Sequence, residues 1–162
     1  MRKTIFAATA AAAALSLTAQ ATASPPPRSE TLSFMDASST SEVFGVIATG
    51  VFTDAGTILI NGPGKHPGRM LLSHGTIKAK ARFTKAPHVK FNPNTCFVAE
   101  RSAGTLELLG GTGAYKGITG SGKFTQSTSE IVPTLHGKCS FSSGAFVGSQ
   151  QTISAHLRVS LP

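Results

Sequence analysis

The sequence predicts an all-β protein, a single antiparallel β-barrel of about eight strands closed on itself. Three observations carry that prediction. Apolar and polar residues alternate with period two in several short segments, the pattern of a half-buried strand. Seventeen glycines and nine prolines punctuate the chain, and the strand candidates between them recur at intervals of about 8–14 residues, as short strands joined by tight turns require. Beyond the amino terminus no window holds a long apolar period of 3.6 residues. Closure follows because it removes the exposed edges of many short strands.

Taken in order, the chain opens on a basic start, Met1-Arg2-Lys3. A run of small and apolar residues follows over 4–18, then Ala21-Thr22-Ala23, the A-x-A pattern of a signal-peptidase site. Residues 1–23 are therefore expected to be a cleaved signal peptide and the protein to be secreted. The apolar middle is shorter than the roughly 20 residues a membrane span needs. No cysteine follows the cleavage site, so no lipid anchor is expected. Cleavage removes Arg2 and Lys3 and lowers the formal charge from +8 to +6. Residues 24–31, with Pro25-Pro26-Pro27, read as a flexible leader and 32–162 as the barrel domain. No later stretch is long and apolar enough for a span, so the cleaved protein is not expected to be membrane-integral.

Within the domain, a first strand is expected over 32–36. A second covers 43–53, rich in Val, Ile, Phe and Thr, and ends at the turn cluster Asp54-Ala55-Gly56. Residues 57–61 form the next, before the Gly- and Pro-rich loop 62–68. Ile77, Ala79, Ala81 and Phe83 alternate with Lys78, Lys80, Arg82 and Thr84, giving a half-buried strand. Further strands are expected over 95–100, 105–109 and 115–125, with a weaker one over 132–141. The clearest alternation closes the chain, Ile153, Ala155, Leu157, Val159 and Leu161 against Thr152, Ser154, His156, Arg158 and Ser160.

The two cysteines, Cys96 and Cys139, leave no thiol over, and export would place them where disulfides persist. A bridge between them is expected. The competing reading makes Cys139 a nucleophile with His136, but neighbours in sequence seldom form a catalytic pair.

The most distinctive stretch is the glycine-rich run 110–123. Gly117 to Lys123 spells G-x-x-x-x-G-K, yet Phe124 stands where a phosphate loop needs Ser or Thr. Gly110, Gly111 and Gly113 suit a tight connection, and Gly117, Gly120 and Gly122 suit curvature or close backbone approach. This run, G-G-T-G-x-Y-x-G-x-x-G-x-G after Thr105-Leu106-Glu107-Leu108-Leu109, resembles the signature of the allene oxide cyclase-like barrels. That superfamily includes the plant dirigent proteins and many small secreted bacterial proteins. Residues 46–52 and 92–96 are similar to the bacterial members. The resemblance covers most of 32–161 and implies an eight-stranded barrel with a central cavity. Its enzymatic members use acidic and polar residues inside that cavity, and none of those positions is carried over to this sequence.

Lys78, Lys80 and Arg82 share one strand face at a spacing of about 7 Å. They form either a stripe for polyanions or the solvated face of a half-buried strand. Export and the lack of Trp argue against nucleic acid as a partner. The five histidines are scattered singly with no metal-ligand spacing, so neither metal nor cofactor is expected. Phe44, Phe52, Phe83, Phe124, Tyr115 and Glu107 are the candidate cavity residues, and the phenylalanines either line the interior or fill it solid. Three functions stay open at this point. The first is a non-catalytic binder of a small apolar or amphipathic molecule. The second is a barrel enzyme of the cyclase-like or dirigent-like kind, steering a reactive intermediate. The third is a cell-envelope or polyanion interaction protein or inhibitor, for which a filled barrel and a basic or apolar outer patch are expected.

Overall fold

The structure is a computed structural model and describes residues 26–36, 43–59, 67–142 and 146–162. The expected signal peptide and most of the loop 62–68 lie outside the described residues. Eleven strands follow in order: β1 Arg28–Asp36, β2 Val43–Thr49, β3 Asp54–Leu59, β4 Gly68–Leu72, β5 Gly75–Phe83, β6 His88–Asn92, β7 Phe97–Gly111, β8 Thr119–Ile131, β9 Thr134–Leu135, β10 Lys138–Cys139 and β11 Gly148–Ser160. One turn of 3-10 helix, Gly113–Tyr115, separates β7 from β8.

Neighbouring strands run β5-β4-β3-β2-β1-β11-β8-β7, and β5 pairs with β7. That last pairing closes an eight-stranded antiparallel barrel, as the sequence predicts. β7, β8 and β11 are too long for the barrel alone. Their excess, Phe97–Arg101 of β7 with Ser127–Ile131 of β8 and Gly148–Thr152 of β11, continues beyond it as a twisted extension. There β6 adds to the start of β7, and the β9–β10 hairpin lies outside the barrel sheet. A disulfide joins Cys96 in the β6–β7 turn to Cys139 in β10, as the cysteine count predicts.

Alternation sets which side chains enter the interior. Leu32 and Phe34 of β1, Phe44, Val46 and Ala48 of β2, Ile58 of β3, and Met70 and Leu72 of β4 all point in. Ile77 and Ala79 of β5, Leu106 and Leu108 of β7, Phe124 of β8, and Ala155, Leu157 and Val159 of β11 meet them. Every strand of the barrel thus contributes to one core, and each large side chain so buried stabilises by about 1.5–3 kcal/mol. Tyr115 and Ile118, from the β7–β8 connection, plug one end.

Four expectations are corrected. The leader does not run to residue 31: β1 starts at Arg28, because Glu30 and Leu32 already occupy inward positions and pair with Leu157 and Ala155. Asp54-Ala55-Gly56 is not a turn. The chain reverses at Gly50, with φ +139°, and Asp54 opens β3 as a buried residue. Residues 97–100 and 105–109 belong to one long strand, β7, which changes partner from β6 to β5 along its length, while Thr95 and Cys96 lie in the turn before it. Residues 115–118 belong to the plug, and β8 begins only at Thr119.

The six motif glycines divide by role. Gly110, Gly113 and Gly117 have positive φ, whereas Gly111, Gly120 and Gly122 sit where chain segments approach closely. At Gly113 (φ +61°) an added Cβ would also collide with the His74 carbonyl, which accepts the Ala114 N–H at 2.9 Å. At Gly122 the collision would be with the His156 carbonyl across the β8–β11 ladder.

Candidate functional site

Polar side chains concentrate at the plugged end of the barrel. Asp54 enters that end from the start of β3 and is 6% exposed. Its Oδ1 accepts the backbone N–H of Ala55 at 2.7 Å and of Ser73 at 3.2 Å, together with the Ser73 hydroxyl. Oδ2 accepts the backbone N–H of His74 at 3.1 Å, its Nδ1–H at 3.0 Å and the Tyr115 hydroxyl. Burial alone pushes this carboxyl up. The hydrogen bonds from Ser73, Tyr115, Ala55 and His74 outweigh it and hold the group well below the usual carboxylate range. Tyr115 is pushed well above the ordinary phenol range by burial first, and then by donating to Asp54 and by the charges of Asp54 and Glu30. Its ring lies 4.9 Å from that of Phe52.

The chemistry of this cluster is that of a tie. One ionised carboxylate gathers the β4–β5 turn, the start of β3 and the plug. The Tyr115 proton is committed to Asp54. The Ser73 hydroxyl donates to the same carboxylate and not to the imidazole, so the Ser-His-Asp relay of an activated nucleophile is not formed. Glu30 enters the same end from β1. Its Oε2 accepts the Phe52 N–H at 3.2 Å, while Oε1 is buried with no hydrogen-bond partner among the described residues. Burial pushes this carboxyl up, against hydrogen bonds from the backbone of Phe52, Val51, Thr49 and Thr31.

The candidate cavity residues separate into three groups. Phe44, Phe124 and Tyr115 are buried in the core, and Phe52 packs partly buried against it. Phe83 is 52% exposed at the end of β5 and meets Phe124 edge-on at 5.3 Å. Glu107 is corrected: it faces solvent, because Leu106 and Leu108 take the inward positions of β7. Phe97, Phe141 and Phe146 are exposed, on or near the extension.

The basic stripe is part of a larger surface. Lys78, Lys80 and Arg82 do point out of the barrel wall on one face of β5. The antiparallel registers extend that face across four more strands, β7, β8, β11 and β1. One row runs Lys80, Glu107, Ser121, Arg158, Ser29, and the next Arg82, Thr105, Lys123, His156, Thr31. On the other side Lys78 pairs with Arg69 of β4. Six permanent cations thus share contiguous outer wall with one acid. Among the described residues none of the six forms an ion pair. The alternation of the last strand already marks Arg158 as outward, and Lys123 follows from the same parity in β8. Arg69 carried no such signal, because β4 is short and follows a Gly- and Pro-rich loop.

A shallow open groove of about 410 Å³ runs beside this wall, between Glu107 and Arg158, with Thr119, Ser121 and Ser160 along it and Pro27 at its edge. Among the described residues no three His, Cys, Asp or Glu side chains gather in a metal-holding arrangement, and no helix is long and apolar enough to cross a membrane. Comparison of the chain with protein-family models, with curated proteins and with solved structures finds no match. The allene oxide cyclase-like resemblance therefore rests on the sequence motifs alone.

Proposed function

We propose that this protein is a secreted, non-catalytic binding module that takes a polyanion on the outside of its barrel wall. One observation carries the reading. Among the described residues six cations on neighbouring strands, Arg69, Lys78, Lys80, Arg82, Lys123 and Arg158, stand without carboxylate partners around a single acid. Like charges held at strand spacing raise the free energy of the unbound protein, and a polyanion relieves it. The cross-link between Cys96 and Cys139 is compatible with an oxidising exterior and supports secretion. Allene oxide cyclase-like membership enters the proposal on the glycine run. An interior ligand or a reactive intermediate has less support, because side chains from all eight strands meet inside the barrel.

The test is retention on immobilised heparin. Lys80→Glu, Arg82→Glu and Lys123→Glu together are expected to lower the slope of log affinity against log salt by roughly 3, one unit per lost contact. A control triple, Lys90→Glu, Lys116→Glu and Lys138→Glu, changes net charge equally and is expected to retain most of the binding. Equal losses from the two triples would reduce the effect to net charge and end the proposal.

A further inference from the structure

We infer that the groove between Glu107 and Arg158 is a sugar-reading subsite, so that the polyanion is an acidic polysaccharide; the inference rests on the outer-wall reading above. The groove is shallow and open, with a volume of about 410 Å³. Its chemistry is mixed. Glu107 on β7 and Arg158 on β11 both stand opposite Ser121 of the intervening β8, so their backbones lie two strands apart, about 10 Å. Hydroxyls of Thr119, Ser121 and Ser160 lie between and beside them.

Glu107 is the informative residue. A polymer of phosphates offers only acceptors, and a carboxylate in its path repels it and receives no proton in return. A sugar acid carries both functions. Its carboxylate meets Arg158 in a charge-assisted, fork-like pair. Its ring hydroxyls donate to Glu107 and accept from Ser121 and Thr119. Pro27 offers an apolar edge to the C–H face of the ring. The neighbouring units then meet Lys80 in the same row, and Arg82 and Lys123 in the next. A lone acid amid six cations thus discriminates between polyanions, and the cations supply attraction to all of them.

The experiment compares decagalacturonate with polyphosphate of matched charge, by calorimetry on the full secreted chain. The protein is expected to bind the galacturonate at least fivefold more tightly. Glu107→Gln, at an exposed position, is expected to leave the melting curve unchanged, tighten polyphosphate binding and bring the preference close to one. Equal affinity for both polymers, or a preference that survives Glu107→Gln, overturns the sugar subsite and leaves the polyanion reading standing. If neither polymer binds, the outer-wall reading fails and the subsite with it.

Discussion

Asp54 and Glu30 are both buried carboxylates at one end of the barrel, yet burial acts on them with opposite net results. Asp54 is surrounded by donors from Ala55, Ser73, His74 and Tyr115, which outweigh its desolvation. Glu30 has only backbone N–H groups to oppose its burial, those of Phe52, Val51, Thr49 and Thr31, and among the described residues its Oε1 has no hydrogen-bond partner, so desolvation wins. The signs of their pH effects follow. Asp54 binds its proton more weakly in the fold, so its stabilising contribution is present above its ordinary 3.8 and is lost as the pH falls toward its lowered value. Glu30 binds its proton more tightly in the fold, so its contribution is full below its ordinary 4.5 and is lost as the pH rises through the raised value. Glu30→Gln keeps an acceptor for Phe52 and removes the charge. It is expected to raise Tm at pH 8 by on the order of 4 °C for each kcal/mol of desolvation relieved, and the gain should shrink toward pH 4. Calorimetric melts across that range check it, and a loss of stability at pH 8 would show that the charge itself has a favourable role. Neither role was legible in the sequence. Asp54 beside Ala55 and Gly56 has the composition of a turn, and Glu30 follows three prolines; burial depends on the registers β1–β11 and β2–β3, which composition does not contain.

At the scale of elements, the disulfide reaches further than the extension it sits in. It fastens the β6–β7 turn to β10, beside a 5.2 Å contact of Phe91 with Phe141 and a hydrogen bond from the Val132 N–H to the Cys96 carbonyl at 3.0 Å. The loop it closes, 43 residues in sequence separation, holds β7, the plug and β8, which are structural members of the barrel. Unfolding the barrel in the presence of the bond therefore leaves a constrained chain. Cys96→Ser with Cys139→Ser is expected to cost about 4 kcal/mol in the loop-entropy model. Urea denaturation with and without reductant checks this; a midpoint indifferent to reduction would place the constraint outside the cooperative unit. Parity of the cysteines made the bond legible in the sequence. Strands β4 and β6 were not legible. β4 has five residues next to a Gly- and Pro-rich loop, and every residue of β6 is exposed, so it shows no buried alternation. The closing strand was the plainest, because Ala155, Leu157 and Val159 are buried while His156 and Arg158 are not.

For the whole molecule, closure divides two regimes of stability. Each barrel strand is paired on both sides, so its amides can reach solvent only when the wall opens, and opening the wall exposes the shared core. Among the described residues β6 pairs only with β7, and the β9–β10 hairpin consists of two residue pairs. These elements can open while Leu32, Ala48 and Leu157 stay buried. The outer cations fit the same division. They are carried by the closed wall, so the spacing of Lys80, Arg82, Lys123 and Arg158 is fixed by ladders and not by flexible loops. Hydrogen exchange is expected to show the barrel amides exchanging with the global unfolding free energy and those of β6 and β9–β10 exchanging at least a hundredfold faster. Ligand on the outer wall should slow β5, β7, β8 and β11 and leave β6 unchanged. Uniform protection would mean that the extension folds as one unit with the barrel, and that removing β6 would dismantle the cationic wall as well.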